Sequence, residues 1–152
     1  MCAFLKKKPL LDPRSQEEVV ARIRAAESRT TGEIRVFLES RCTYMDAMHR
    51  AEELFTELAM HQTEQRNAVL LYMAVTDHQF AILGDTEVYA QAGGQQFWDH
   101  AAAALKDHLK EGRLKEGLCA CVDELGNALA LHFPADPDVA KNELPDEIIF
   151  GK

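Results

Sequence analysis

A chain of 152 residues is the length of a single domain and is long enough to bury a substantial core. Its 47% hydrophobic and 28% charged residues are ordinary for a soluble globular protein and exclude a chain disordered throughout. The net charge of −8 disfavours nucleic acid as a partner, because phosphate binding rests on clustered Lys and Arg and the basic cluster here is Lys6-Lys7-Lys8 at the N-terminus.

Residues 1–14 read as a loose lead-in. Ser15 with Glu18 forms a capping box, and Val19, Val20, Ile23 and Ala26 recur at helical spacing, which predicts a helix from about Gln16 to Ser28. Thr30-Thr31-Gly32 ends it. From Glu33 to Ser40 the chain alternates, with Ile34, Val36 and Leu38 on one face and Glu33, Arg35, Phe37 and Glu39 on the other, so a strand with one less deeply buried side is expected. Thr43 with Asp46 is a second capping signal, and Met48, Ala51, Leu54, Phe55 and Leu58 mark a helix over roughly Tyr44 to His61.

Ala68 to Val75 is apolar without alternation and rich in Val and Leu, the pattern of a strand covered on both faces. Strand, helix and strand make a right-handed crossover between parallel strands. After a break of only Thr76-Asp77-His78, the run Gln79 to Leu83 is too close for another crossover and should return as an antiparallel hairpin. Thr86 to Gly94 reads as a turn or short helix closed by Gly93-Gly94. Phe97, Trp98, Ala101, Ala102, Leu105 and Leu109 then place a helix over about Gln95 to Lys110. Leu114, Leu118, Val122, Leu125, Leu129 and Phe133 give a last helix stopped by Pro134. Residues 15–134 thus form an α/β domain, with a mixed sheet between helices in a three-layer sandwich, and 135–152 an extended tail whose Ile148-Ile149-Phe150 either docks in a groove or adds an edge strand.

Cys2, Cys42, Cys119 and Cys121 include no Cys-x-x-Cys and read as reduced thiols. The first ten residues place charge after the apolar residues, unlike a secretory signal, and no segment reaches the roughly 18 apolar residues of a membrane span. A cytoplasmic location is therefore expected.

The motifs of covalent catalysis and nucleotide binding are missing, and the histidines form no His-Glu-x-x-His; His100 and His108 lie about 12 Å apart along one helix. Carboxylates remain, and topology sorts them. The hairpin returns Gly84-Asp85 to the end of the sheet where its partners begin, which brings Glu33, Asn67 and Asp85 together. At the opposite end Asp77 approaches Glu39 and Asp46, on the usual ligand side of open α/β sheets. Either group supplies the oxygens that Ca²⁺ or Mg²⁺ requires. The competing reading makes these residues turns and caps, with Asp46 capping a helix and Asp77 serving the hairpin turn.

Four motifs in order, Thr31-Gly32-Glu33-Ile34, Arg66 to Tyr72, Ile82-Leu83-Gly84-Asp85 and Phe97-Trp98-Asp99, resemble the TPM domain family, and Arg113-Leu114 with Gly117-Leu118, Leu131-His132-Phe133-Pro134 and Asn142 to Glu147 resemble a short subgroup of it that is little more than the domain. The resemblance implies an α/β/α sandwich. It also implies roles that differ among members: weak acid phosphatase activity, binding of divalent cations such as calcium, or accessory service in membrane complexes. Ala68 stands where many relatives have Gly. Together these readings point to a protein-interaction module that binds Ca²⁺ or Mg²⁺ through Glu33, Asn67 and Asp85, with Glu39, Asp46 and Asp77 as the alternative cluster. The rival is a weak metal-assisted phosphatase, in which the ion would polarise the phosphoryl oxygens.

Overall fold

The computed structural model describes residues 9–42, 45–92, 96, 98–139 and 144–151. The lead-in before Pro9, Thr43, Gly93, Gly94, Phe97 and Asn142-Glu143 lie outside the described residues.

The centre of the fold is β2 (Ala68–Ala74), every residue of which is buried. It pairs in parallel with β1 (Glu33–Glu39), with Glu33 opposite Ala68 and Glu39 opposite Ala74. On its other side β3 (Gln79–Gly84) runs antiparallel, with Ala74 opposite Gln79 and Val69 opposite Gly84. The apolar triplet of the tail supplies β4 (Ile149–Phe150), parallel to β1, and the sheet order is β3-β2-β1-β4. Of the two options the sequence left for this segment, the edge strand is the one realised.

Helices cover both faces, as a strand without alternation requires. On one side α1 (Pro13–Glu27), α4 (Asp99–Lys110) and α5 (Leu114–His132) pack over Ile34, Val36, Leu38, Val69, Leu71 and Met73. On the other, α2 (Ala47–Glu57) and a 3₁₀ turn (Met60–Gln62) cover Phe37, Ala68, Leu70, Tyr72 and Ala74. A short α3 (Thr86–Ala92) follows β3. The result is the three-layer arrangement with a mixed sheet.

Two details differ from the sequence reading. Helix α1 begins at Pro13, three residues early, because Asp12 rather than Ser15 is the N-cap: its carboxylate accepts from the Ser15 backbone N–H at 2.9 Å, and Pro13 takes a position where no N–H is needed. Helix α2 is shorter than the predicted span of 44–61. Asp46 caps its start, and Ala59 in the left-handed region (φ 54°) breaks the helix before the 3₁₀ turn. In β1 the face of Glu33, Arg35, Phe37 and Glu39 is the less deeply buried one, as expected, and α2 and the tail cover it.

Two glycines permit close approach. A Cβ on Gly126 would stand 2.6 Å from Ala26 Cβ, so α1 and α5 cross where neither has bulk. A Cβ on Gly84 would meet Trp98 Cζ3 and Val88 Cγ1 at 2.9 Å. Trp98 is buried there, edge-on to Tyr89 with ring centroids 5.2 Å apart. Trp98→Ala is expected to lower unfolding stability by about 3–5 kcal/mol in urea denaturation, the cost of deleting a large core ring. Leu131→Ala, at a position 78% exposed, should change it by no more than about 0.5 kcal/mol.

Candidate functional site

The two ends of the sheet gather the candidate carboxylates as the topology requires. At the end where β1 and β2 begin, the Asp85 backbone N–H donates to the Ala68 carbonyl at 2.9 Å, and the Glu87 N–H to the Arg66 carbonyl at 3.1 Å. Gly32 lies against the Asn67 carbonyl, which a Cβ would approach to 3.1 Å. Glu33, Asn67 and Asp85 therefore share one end of the sheet through their backbones, and all three are buried.

Their side chains engage different partners. Asp85 takes both guanidinium arms of Arg66, with Arg66 Nε at 2.9 Å and Nη2 at 3.1 Å, and also accepts from the Thr86 N–H at 2.7 Å, at the start of α3. This fork raises the pKa of Arg66. Arg66 reaches its position through a left-handed backbone (φ 52°), which a side chain other than glycine adopts at a cost of about 1–2 kcal/mol. The Asn67 amide donates to Thr31 Oγ1 at 3.0 Å. Glu33 accepts from the backbone N–H of Leu144 in the returning tail. At this end Glu33 thus serves the tail, and Asp85 serves Arg66 and α3.

At the opposite end the bland reading of Asp46 and Asp77 describes what they do. Asp46 caps α2, accepting from the His49 backbone N–H and lying against the His49 ring, both at 2.8 Å, and these contacts hold its carboxyl below the usual range. Asp77 accepts from the Cys42 N–H at 2.7 Å and so ties the hairpin turn to the chain after β1. Glu39 is buried under Arg50, with Nε at 3.0 Å and Nη2 at 3.2 Å, and accepts from the Tyr72 hydroxyl. Burial and that hydrogen bond raise the Tyr72 pKa. Arg50 also lies over the Phe37 ring, 5.7 Å from its centroid. Among the described residues, no three His, Cys, Asp or Glu side chains are grouped as a metal cluster. His108 bonds the Ala104 carbonyl of its own helix at 2.8 Å. Cys42, Cys119 and Cys121 are free and buried, and burial pushes Cys121 up to about 12; Cys2 lies outside the described residues.

A third polar group has no counterpart in the sequence reading. Glu27, at the end of α1, is buried, and its Oε2 accepts from the Ile34 N–H of β1 at 2.8 Å. Asp146 of the tail lies near it, and Glu33, Arg35 and Glu147 are among the surrounding charges. Burial lowers the Arg35 pKa, an effect these carboxylates oppose. The signal in the sequence was Glu27 itself, a carboxylate four residues after Ile23 on the apolar stripe of α1.

The TPM domain family model matches residues 6–128. The chain belongs to the TPM domain family. Its structure is similar to the NMR structure of the BA42 protein from the psychrophilic bacterium Bizionia argentinensis, with a TM-score of 0.88 and 37% identity over 96% of this chain and 99% of that one. It also shares the fold of the N-terminal domain of the cg2496 protein from Corynebacterium glutamicum, with a TM-score of 0.65 and 14% identity over 82% and 86% of the two chains. No curated protein matches the sequence. The TPM match ends within α5, so the returning tail lies beyond the matched segment. No helix among the described residues is long and apolar enough to cross a membrane.

The buried pairs of this TPM domain differ in what their loss costs. Arg50→Ala would leave Glu39 buried without its guanidinium, and a loss of about 3–5 kcal/mol in urea unfolding is expected. Arg41→Ala removes a partner that lies 3.9 Å from Asp77 and is largely solvated, and should cost no more than about 1 kcal/mol.

Proposed function

We propose that this TPM domain is a protein-interaction module that takes a divalent cation at the end of the sheet where Asn67 and Asp85 meet, with Arg66 as the resident counter-ion that the divalent ion displaces. The observation that carries this reading is the contrast between the two guanidinium–carboxylate forks. Arg50 is only 14% exposed on Glu39 and is packed over Phe37, so it cannot leave without opening the core. Arg66 is 44% exposed while Asp85 beneath it is 3% exposed, so the guanidinium can swing into water and leave a carboxylate open to another cation.

The donors at that end are all oxygens, which suits Ca²⁺ or Mg²⁺ rather than a softer metal. Asp85 would supply the charge and the Asn67 side-chain oxygen a neutral donor, with main-chain carbonyls and water completing the shell. Glu33, on the neighbouring strand, would lend negative potential while it holds the tail. The alternative cluster is less suited, because Asp46 and Asp77 cap main-chain N–H groups and Glu39 is doubly bonded.

The phosphatase reading has less behind it. Beyond the ion itself, a transferring phosphoryl group is ordinarily met by further positive charge or donors, and in the structure as it stands the arginines at the two acidic ends are engaged. Arg66 and Arg50 are taken up by Asp85 and Glu39, and Arg35 lies among Glu27, Glu33, Asp146 and Glu147.

Thermal unfolding with and without millimolar Ca²⁺ or Mg²⁺ tests the proposal, since an ion that binds only the folded state stabilises it by about 2.7 kcal/mol at 100 times its dissociation constant. Asp85→Asn should abolish the shift and Asp77→Asn should leave it intact. Arg66→Ala should enlarge it, because a competing cation has been removed. A shift that disappears with Asp77→Asn moves the ion to the hairpin end. No shift in the wild type or in Arg66→Ala removes the cation from the reading and leaves the interaction module alone.

A further inference from the structure

Strand β3 is one margin of the sheet and pairs with β2 alone. In an antiparallel pair, residues that exchange hydrogen bonds alternate with residues that do not. The Asp85 N–H donates to the Ala68 carbonyl, and this sets the phase: Leu83, Ala81 and Gln79 bond to β2, whereas Phe80 and Ile82 turn their N–H and C=O groups away from it. The hairpin agrees. The His78 N–H donates to the Val75 carbonyl within the loop 75–78, which leaves Ala74 and Gln79 as the closing bonded pair.

Edge strands are ordinarily guarded by charged residues, proline or bulges. Gln79–Gly84 holds no charged residue and no proline, and its register with β2 runs unbroken from Ala74–Gln79 to Val69–Gly84. Instead the edge lies along a groove of about 510 Å³. Ala47 and Met48 at the start of α2 form one wall, on the side where Ala81 packs, and Ala102 and Lys106 of α4 form the other, on the side of Ile82. A recessed edge of this kind admits a single extended chain. The edge of a second copy would have to bring its own α2 and α4 into the same space.

The charges at the rim decide which chain fits. Asp46 is engaged by the His49 N–H and ring at the cap of α2. Lys106 is exposed and, among the described residues, has no ion pair. The groove thus offers outward main-chain groups, apolar walls and one available positive charge.

We propose that this groove takes an extended peptide segment of a protein partner, which adds as a strand beside β3 and places an Asp or Glu on Lys106. Its main chain bonds Phe80 and Ile82. Its side chains alternate between the walls, apolar ones against Met48 on one side and the acid toward Lys106 on the other. The proposal deepens the reading of the domain as an interaction module and needs no cation.

The test uses the full chain in EDTA, so that its failure is separate from failure of the cation site. In the free chain, amide hydrogen exchange should be at least about tenfold faster at Phe80 and Ile82 than at Ala81 and Leu83, whose N–H groups bond β2. Panning a phage-displayed random peptide library should enrich sequences that alternate apolar residues and carry an Asp or Glu. A synthetic copy of an enriched peptide should then slow exchange at Phe80 and Ile82 and leave the amides of Gly32 and Asn67 unmoved. Lys106→Glu, at an exposed position that leaves the fold intact, should weaken that peptide about tenfold, and Lys in place of the peptide's acid should restore binding. Phe80→Pro removes an N–H that β2 does not use and should bind about three- to tenfold more weakly than Phe80→Ala. Slow exchange at Phe80 and Ile82 in the free chain overturns the proposal, because the edge is then already covered, by the chain itself or, if the protection grows with concentration, by a second copy. No enriched peptide, a footprint away from β3, or binding undiminished by Lys106→Glu also overturns it.

Discussion

Strand β2 has no solvent face, and that constraint shapes the rest of the molecule. Seven consecutive buried residues leave apolar side chains on both surfaces of the sheet, which must be covered by separate layers of helix. The crossover through α2 fills one layer, and α1, α4 and α5 fill the other. With β2 in the middle, β1 joins in parallel and β3 as a hairpin, so each end of the sheet receives a fixed set of residues. Asp85 arrives beside Ala68 for the same reason that Leu70 is buried.

Covering both faces also encloses polar groups on the less deeply buried side of β1 and at the end of α1, and the carboxylates among them are bonded. Glu39 has Arg50 and Tyr72, Glu33 has the Leu144 N–H, and Glu27 has the Ile34 N–H. These contacts fasten α2, the tail and α1 to the same strand, β1. The fork between Asp85 and Arg66 differs because its cation stands half in water, and the proposed exchange of one cation for another rests on that difference.

The sequence carried the architecture well because the signals that specify it are local: the unbroken run at Ala68, the three-residue break before Gln79, and the stripe of α5. In β1 alternation marked the less deeply buried side correctly but not what covers it, since it records which residues are apolar and not where a distant segment will lie. Glu33 and Arg35 are polar and nonetheless buried, because a tail more than a hundred residues later returns over them. The candidate acids were placed at the correct ends by strand direction alone. Their partners were not legible: Arg66 sits beside Asn67 in sequence, but that it would fork onto Asp85 depends on a left-handed backbone that no pattern announces. Asp12 and Pro13 were a readable cap, overlooked in favour of Ser15 and Glu18.

The measurement that bears most directly on the site is an amide and arginine side-chain NMR titration with Ca²⁺, then Mg²⁺, at neutral pH. Exchange of Arg66 for a divalent ion predicts a loss of the hydrogen-bonded Arg66 Nε–H resonance. It also predicts amide shifts confined to Gly32, Asn67, Asp85 and Thr86, while the amides of Cys42 and His49 and the Arg50 Nε–H stay in place. An unmoved Arg66 Nε–H, or shifts centred on Cys42, His49 and Asp77, would contradict the account.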